Sequence, residues 1–268
     1  MSATVHPTAI VEDGARLADG VRVGPFCHVG PEVSLGAGVE LLSHVVVAGR
    51  TSIGPETRIF PFASIGHQPQ DLKYRGEASS LTIGARCQIR ENVTVNPGTA
   101  AGTMETRIGD DCLLMNSAHV AHDVEVGNHV VIAAYVAVAG HCQIGDHVAF
   151  GGMCGVHQFV RIGAHAFIGA HSMIDADVIP YGMAVGNRAR LAGLNLVGLK
   201  RRKFDREAIH SLRAAYRMIF SSEGTLKERV DDAATLFSGE AMVQDVVKFI
   251  TAASDRPICL PVNVPAED

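Results

Sequence analysis

An aliphatic residue returns at every sixth position along most of this chain up to Ile174. Val5, Val11, Leu17, Val23, Val29, Leu35, Leu41, Val47, Ile53, Ile59 and Ile65 form one unbroken series. The series resumes in frame at Ile83, Ile89 and Val95, slips by one residue, and runs again from Ile108 through Leu114 and Val120 to Ile174. A period of six fits neither the 3.6 of a helix nor the two of a strand. It fits a solenoid in which each hexapeptide supplies one short strand and one turn. Three hexapeptides complete a triangular coil, so residues 18 apart should stack, with about 4.8 Å between neighbouring coils. The ladder residues then point inward as a stacked aliphatic core.

Two interruptions break the period, at about Gly66 to Leu81 and about Gly98 to Thr106. Each spares the flanking repeats, so each reads as a loop leaving the solenoid surface. Beyond Pro180 the period ends. Residues 204–220 place Ile209, Leu212, Tyr216, Ile219 and Phe220 at helical spacing, with Asp205 as N-cap. Thr225-Leu226-Lys227-Glu228 is a capping-box pattern opening a second helix. A third should run from Glu240 to Ala253, and Pro257, Pro261 and Pro265 predict an irregular tail. The expected organisation is a mainly β solenoid over residues 1–190 and a small α-helical unit over 191–268 that caps its open edge.

A net charge of −5 gives no basic field for nucleic acid. The opening MSATVHPTAIVEDG lacks the charged and apolar regions of a signal peptide. The longest apolar run, Val130 to Gly140, is too short to span a bilayer. Cys27, Cys87, Cys112, Cys142, Cys154 and Cys259 are scattered without a C-x-x-C pair, which suits reduced thiols in a cytosol. Most should be small buried hydrophobes.

The 18-residue step also sorts the histidines. His129, His147 and His165 should stack on one edge. That column reads as solvated turn residues, with a metal ladder as the alternative. Asp123 should lie against His141, and His122 against Gly140, gathering His119, His122, Asp123, Gly140 and His141. A histidine beside a carboxylate makes a general base, because the carboxylate orients the ring and stabilises its protonated form. Gly140 leaves its N–H accessible as an oxyanion donor. His157-Gln158 follow in the next coil. Lys200-Arg201-Arg202-Lys203 stand before the helix beginning near Asp205, where they oppose the helix dipole unless an anion such as a phosphate binds.

These residues carry a family resemblance. His6-Pro7-Thr8-Ala9, Gln70-Asp71-Leu72-Lys73-Tyr74, the His119-to-Asp123 segment, Gly151-Gly152-Met153 through His157-Gln158-Phe159, and Gly198-Leu199-Lys200-Arg201-Arg202 together resemble the bacterial UDP-N-acetylglucosamine O-acyltransferases. The resemblance implies a left-handed parallel β-helix assembled as a homotrimer, with sites in clefts between subunits and no metal or redox cofactor. It implies transfer of a β-hydroxyacyl chain from acyl carrier protein to the sugar 3-hydroxyl, the first step of lipid A synthesis, in the cytoplasm. His122 would be the base, Asp123 its orienting partner and the Gly140 amide the oxyanion donor. Asp71, Lys73, His119, His141, His157 and Gln158 match positions that contact sugar, diphosphate or donor. Asn195, Arg201 and Arg202 match nucleotide-binding positions.

Three positions depart from the family pattern. Val197 stands where an acidic residue is usual, and Asn96-Pro97 where His-Arg is usual. Ala170 stands where the residue closing the acyl groove is often Gly, eight hexapeptides beyond His122 or ~13 Å along the axis. The extra methyl implies a shorter or more relaxed acyl preference. The alternatives are an N-acyltransferase acting on a UDP-amino sugar, a metal-dependent lyase of the carbonic anhydrase kind using His119, His122 and His141, and a non-catalytic solenoid scaffold.

Overall fold

A computed structural model describes residues 2–262. Each hexapeptide forms a two-residue strand followed by a four-residue turn, and the strands collect into three parallel sheets. The first face carries Val23, Leu41 and Ile59, the second Val29, Val47 and Ile65, and the third Leu35 and Ile53. Partners within a face are 18 apart, as in His119 with Ala137 and Ala137 with Gly155. The expected coil is therefore present, a left-handed parallel β-helix with a small helical end.

The core has two inward rows where the period named one. The residue two before each ladder position also points inside, as Val21, Val33, Val39, Val45, Val130 and Val148 do, each fully buried. An i, i−2 pair shares one side of an extended segment, which the sixfold count alone did not register. Cys27, Cys87, Cys112, Cys142 and Cys154 all belong to this row, and the six thiols are free and buried. They are the small hydrophobes the spacing implied.

One turn position takes a left-handed backbone at most corners. Asp123, His141 and Phe159 have φ of 57°, 63° and 66°, and His129, His147 and His165 have 56°, 59° and 61°. A side chain there costs roughly 1–2 kcal/mol, which the neighbouring coil's hydrogen bonds offset.

The register measures the two interruptions. The step widens to 30 between Ile59 and Ile89, and to 25 between Ile89 and Leu114. The first excursion leaves after Ile65 and re-enters at Ser80–Ile83; the second leaves after Val95 and re-enters at Glu105–Ile108. Both start on the corner between the second and third faces.

The coil ends in an antiparallel hairpin, Gly182–Val185 with Arg190–Leu194, that the sequence did not announce. A six-residue helix follows, α1 (Leu196–Arg201), and it too was unforeseen. The three expected helices are α2 (Arg206–Ile219), capped by Asp205, α3 (Leu226–Leu236), opened by the complete Thr225/Glu228 capping box, and α4 (Ala241–Thr251). The irregular tail docks on the coil through bridges of Asp177 with Ile258 and Leu191 with Pro261. Pro265 lies outside the described residues. Among those residues no helix is long and apolar enough to cross a membrane.

Candidate active site

His122 and Asp123 lie in the turn between a second-face strand (His119–Val120) and a third-face strand (Glu125–Val126). Both are buried. The His122 Nδ1–H donates to Asp123 Oδ2 at 2.9 Å, which leaves Nε2 as the proton acceptor. Asp123 is held by its own set of donors. The Thr99 amide reaches Oδ1 at 3.0 Å, the Thr99 hydroxyl reaches Oδ2 at 2.6 Å and the Thr103 amide reaches Oδ1 at 2.8 Å. Burial alone would raise the carboxyl, but the bonds from Thr99 and His122 and the charge of His141 outweigh it, so its pKa falls below the usual carboxylate value. Thr99 and Thr103 belong to the second excursion. Sequence reading located that loop but not its task, because a loop outside the repeat has no place on the 18-residue ruler.

The coil above completes the neighbourhood. The His141 amide donates to the His122 carbonyl at 3.1 Å, and its ring meets the His122 ring edge-on at 4.9 Å. His141 Nδ1 stands 3.9 Å from Asp123 Oδ2. Gly140 lies directly over the base, where a Cβ would come within 2.5 Å of His122 Cε1 and 2.8 Å of Nε2. Any side chain at this position would displace the imidazole. Its buried N–H has no hydrogen-bond partner among the described residues, so it is free to donate to an anion.

His119, in the adjacent strand, is hydrogen-bonded through Nδ1 to the Thr94 hydroxyl at 2.7 Å. Burial, with the charge of His122, lowers the His119 pKa, and burial likewise lowers that of His141. Asp71 and Lys73, on the first excursion, come close enough for their charges to act on His141. One coil further, His157 and Gln158 are exposed on the same corner. Arg256 of the tail donates to His157 Nδ1 at 2.6 Å and to the Gln158 carbonyl at 2.9 Å. No sequence signal connected a tail cation to a turn 99 residues away. Asp123, His141, Phe159, Thr103, Glu105 and Arg161 line a cavity of about 520 Å³ beside this corner.

The remaining expected residues lie elsewhere. Asn195, Arg201 and Arg202 surround a cavity of about 630 Å³ with Ala149, Phe167 and Met183 of the first face. Asn195 caps α1 by accepting from the Gly198 amide at 3.0 Å, and donates to the His165 carbonyl at 2.9 Å. The basic cluster needs a correction. Lys200 and Arg201 form the last turn of α1, where cations complement the dipole, so helix electrostatics do not by themselves demand an anion. Arg202 donates to the His147 carbonyl at 2.9 Å, on the corner between the third and first faces. Ala170 sits exposed on the third corner, between the first and second faces. One chain thus gathers the His122 group and the Arg201 group but does not unite them.

The His129, His147 and His165 column also departs from expectation. Its rings stack in parallel, 4.7 Å apart at each step, and His165 continues onto Tyr181 at 5.5 Å and meets Phe204 edge-on at 5.0 Å. Its upper end is half-buried under the helical segment rather than solvated.

Among the described residues, the donor atoms of His122, Asp123 and His141 lie within 4.8 Å of one another, the nearest approach to a metal triad. Both Asp123 oxygens already accept from Thr99, Thr103 and His122, and His119 Nδ1 is bonded to Thr94. An ion would have to displace those bonds. The geometry suits an oriented base.

Comparison with known proteins gives the family. Residues 177–259 match the family profile described as UDP N-acetylglucosamine O-acyltransferase, domain 2, and residues 105–140 match that of the bacterial transferase hexapeptide. The acyl-[acyl-carrier-protein]–UDP-N-acetylglucosamine O-acyltransferase of Methylobacterium radiotolerans is 60% identical over 97% of this chain and 96% of its own. That of Caulobacter vibrioides is 53% identical over 96% and 98%. The solved structure of the Moraxella catarrhalis UDP-N-acetylglucosamine O-acyltransferase matches with a TM-score of 0.92 at 42% identity, covering 97% of this chain and 100% of that one. The Francisella novicida UDP-N-acetylglucosamine acyltransferase gives 0.92 at 33%, covering 97% and 95%. This chain belongs to the UDP-N-acetylglucosamine O-acyltransferase family.

Proposed function

We propose that the protein transfers a β-hydroxyacyl chain from acyl carrier protein to the 3-hydroxyl of UDP-N-acetylglucosamine, the first step of lipid A synthesis in the cytoplasm. The observation that carries this is the Asp123–His122–Gly140 stack. His122 Nε2 takes the proton of the sugar hydroxyl as its oxygen attacks the thioester carbonyl. Asp123 fixes the ring through Nδ1 and stabilises the imidazolium. The Gly140 N–H receives the oxyanion of the tetrahedral intermediate. Collapse breaks the C–S bond, and the proton on His122 passes to the departing thiolate.

His119, His141, His157 and Gln158, with Asp71 and Lys73, are the sugar, diphosphate and donor contacts on this corner, and Asn195, Arg201 and Arg202 the nucleotide contacts. These two sets open on different faces of one chain, which favours a homotrimer whose clefts join one copy's His122 to a neighbour's Arg201 and Arg202. Leu72 at the tip of the first excursion is 96% exposed, as expected of a residue that a neighbouring copy covers. Ala170 would then close the acyl groove from another copy, and its methyl favours a chain shorter than glycine admits. Among the described residues, we assign the acyltransferase coil to the chain up to 190 and the helical domain to the chain from 191, with the strand Arg190–Leu194 at the junction.

Purified protein incubated with UDP-N-acetylglucosamine and hydroxyacyl carrier protein should yield the 3-O-acyl nucleotide sugar by mass spectrometry. Failure to form it, with acylation of a 3-amino analogue instead, would replace this reading with the N-acyltransferase.

A further inference from the structure

The second excursion touches more than Asp123. Asn96, at its start, is only 5% exposed, and its Nδ2 donates to two carbonyls at the foot of the first excursion, His67 at 3.0 Å and Gln68 at 3.3 Å. Those acceptors fix the orientation of the carboxamide and leave its Oδ1 buried without a partner. Its backbone N–H is tied to the coil above, on the Val120 carbonyl at 3.0 Å. Pro97 stiffens the next step. At the far end of the first excursion, the Gly98 amide bonds the Ser80 carbonyl at 3.2 Å and the Ala100 amide bonds Glu77 Oε1 at 2.9 Å. Between these two bonds stands Thr99, which holds Asp123.

Five consecutive residues thus grip both ends of the Lys73 loop and the carboxylate that orients the base. The loop's other hydrogen bonds are internal, such as the Lys73 amide on Asp71 Oδ1 at 2.9 Å and the Arg75 guanidinium on the Leu72 carbonyl at 2.7 Å, and Leu72, Lys73 and Arg75 are exposed. An orphaned buried acceptor costs stability, so the donor arm of Asn96 is kept at the expense of its other half. We propose that Asn96 is a positioning residue: with segment 98–104 it fixes the loop bearing Asp71 and Lys73 in register with Asp123 and His122. In this chain the asparagine supplies geometry, where a charged side chain at the same place would supply a contact. The inference rests on the proposed acyl transfer.

The test is steady-state kinetics on Asn96→Ala in wild-type and Lys73→Ala backgrounds. The expected result is a KM for UDP-N-acetylglucosamine raised roughly tenfold, with the acyl-donor KM unchanged. That increment should shrink once Lys73 is absent, because both changes act through one loop, with Asp71 keeping a remainder. Glu77→Ala, which frees the opposite end without opening the core, should raise the same KM by a smaller factor, and it serves if Asn96→Ala fails to fold. An unchanged KM in folded Asn96→Ala or Glu77→Ala, or an equal increment in both backgrounds, would overturn the proposal and leave the acyl-transfer reading intact. A fully active Lys73→Ala would overturn it together with the acceptor role of Lys73.

Discussion

On the corner between the second and third faces, Asp123, His141 and Phe159 succeed one another up the coil; on the corner between the third and first faces, His129, His147 and His165 do the same. Both series occupy the same left-handed turn position, but the second is all imidazole and the first has one, His141. Their surroundings differ. The second series stacks ring on ring under Phe204, and its nearest carboxylate is Asp111, 3.9 Å from His129. The first has an aspartate in the repeated position and a histidine one residue earlier, so His122 stands off the stack with one nitrogen on Asp123 and the other open. Repeat position therefore dictates how side chains align. The chemistry follows from the residue that steps out of alignment and from the loop that arrives to hold its partner.

The sharpest contrast between the corners is one substitution made twice. His122→Ala should lower kcat by about 10³-fold, within the range of a positioned general base, with the thermal midpoint unchanged. His129→Ala should leave kcat untouched. Comparable losses from both would erase the distinction.

A smaller effect belongs to the loop. Thr99→Val removes the 2.6 Å hydroxyl bond to Asp123 and keeps the amide bond. We expect a roughly tenfold loss of kcat at pH 7, the scale of one hydrogen bond to a charged group. Because that bond holds the carboxyl pKa down, its removal lets the pKa rise, and the acid limb of the pH–rate profile should move to higher pH. A parallel drop at all pH values would contradict the role.

The smallest effect tests the stacked column. Burial, with the charges of His147 and Arg202, lowers the His165 pKa from 6.5 to about 4. The unfolded chain then binds the proton more readily, so this contribution is complete above pH ~6.5 and is lost as pH falls through about 4. His165→Phe keeps the ring contacts without the titration. The fall in urea midpoint between pH 7 and pH 4.5 should shrink by the equivalent of about 1 kcal/mol, reduced because the ring is partly solvated. An unchanged fall would assign acid sensitivity elsewhere.

What the sequence revealed depended on whether a residue lay on the ruler. His122, Asp123, Gly140 and His141 are repeat residues, so counting by 18 placed them correctly. Thr99 and Thr103 lie in the loop that widens the coil step to 25, and Arg256 approaches from the tail; none of the three has a counting relation to the coil. The hairpin and α1 went unread for a different reason. Elements of four to six residues carry too few periods to be seen, and a cap such as Asn195 becomes visible only when its helix is known. The 18-step gave the depth of Ala170, and the same count carries its azimuth: eight hexapeptides are two and two-thirds turns, which puts it on another corner.

That separation of groups leads to the most direct measurement. If the site is assembled between copies, co-expressed His122→Ala and Arg201→Ala/Arg202→Ala chains should form mixed trimers in which each supplies what the other lacks. Random mixing would restore about a quarter of the clefts and a matching share of wild-type acyl transfer, although either variant alone is nearly inactive. Purified mixed trimers with no recovered activity would contradict the account, since the base and the nucleotide-binding arginines would then have to serve one chain.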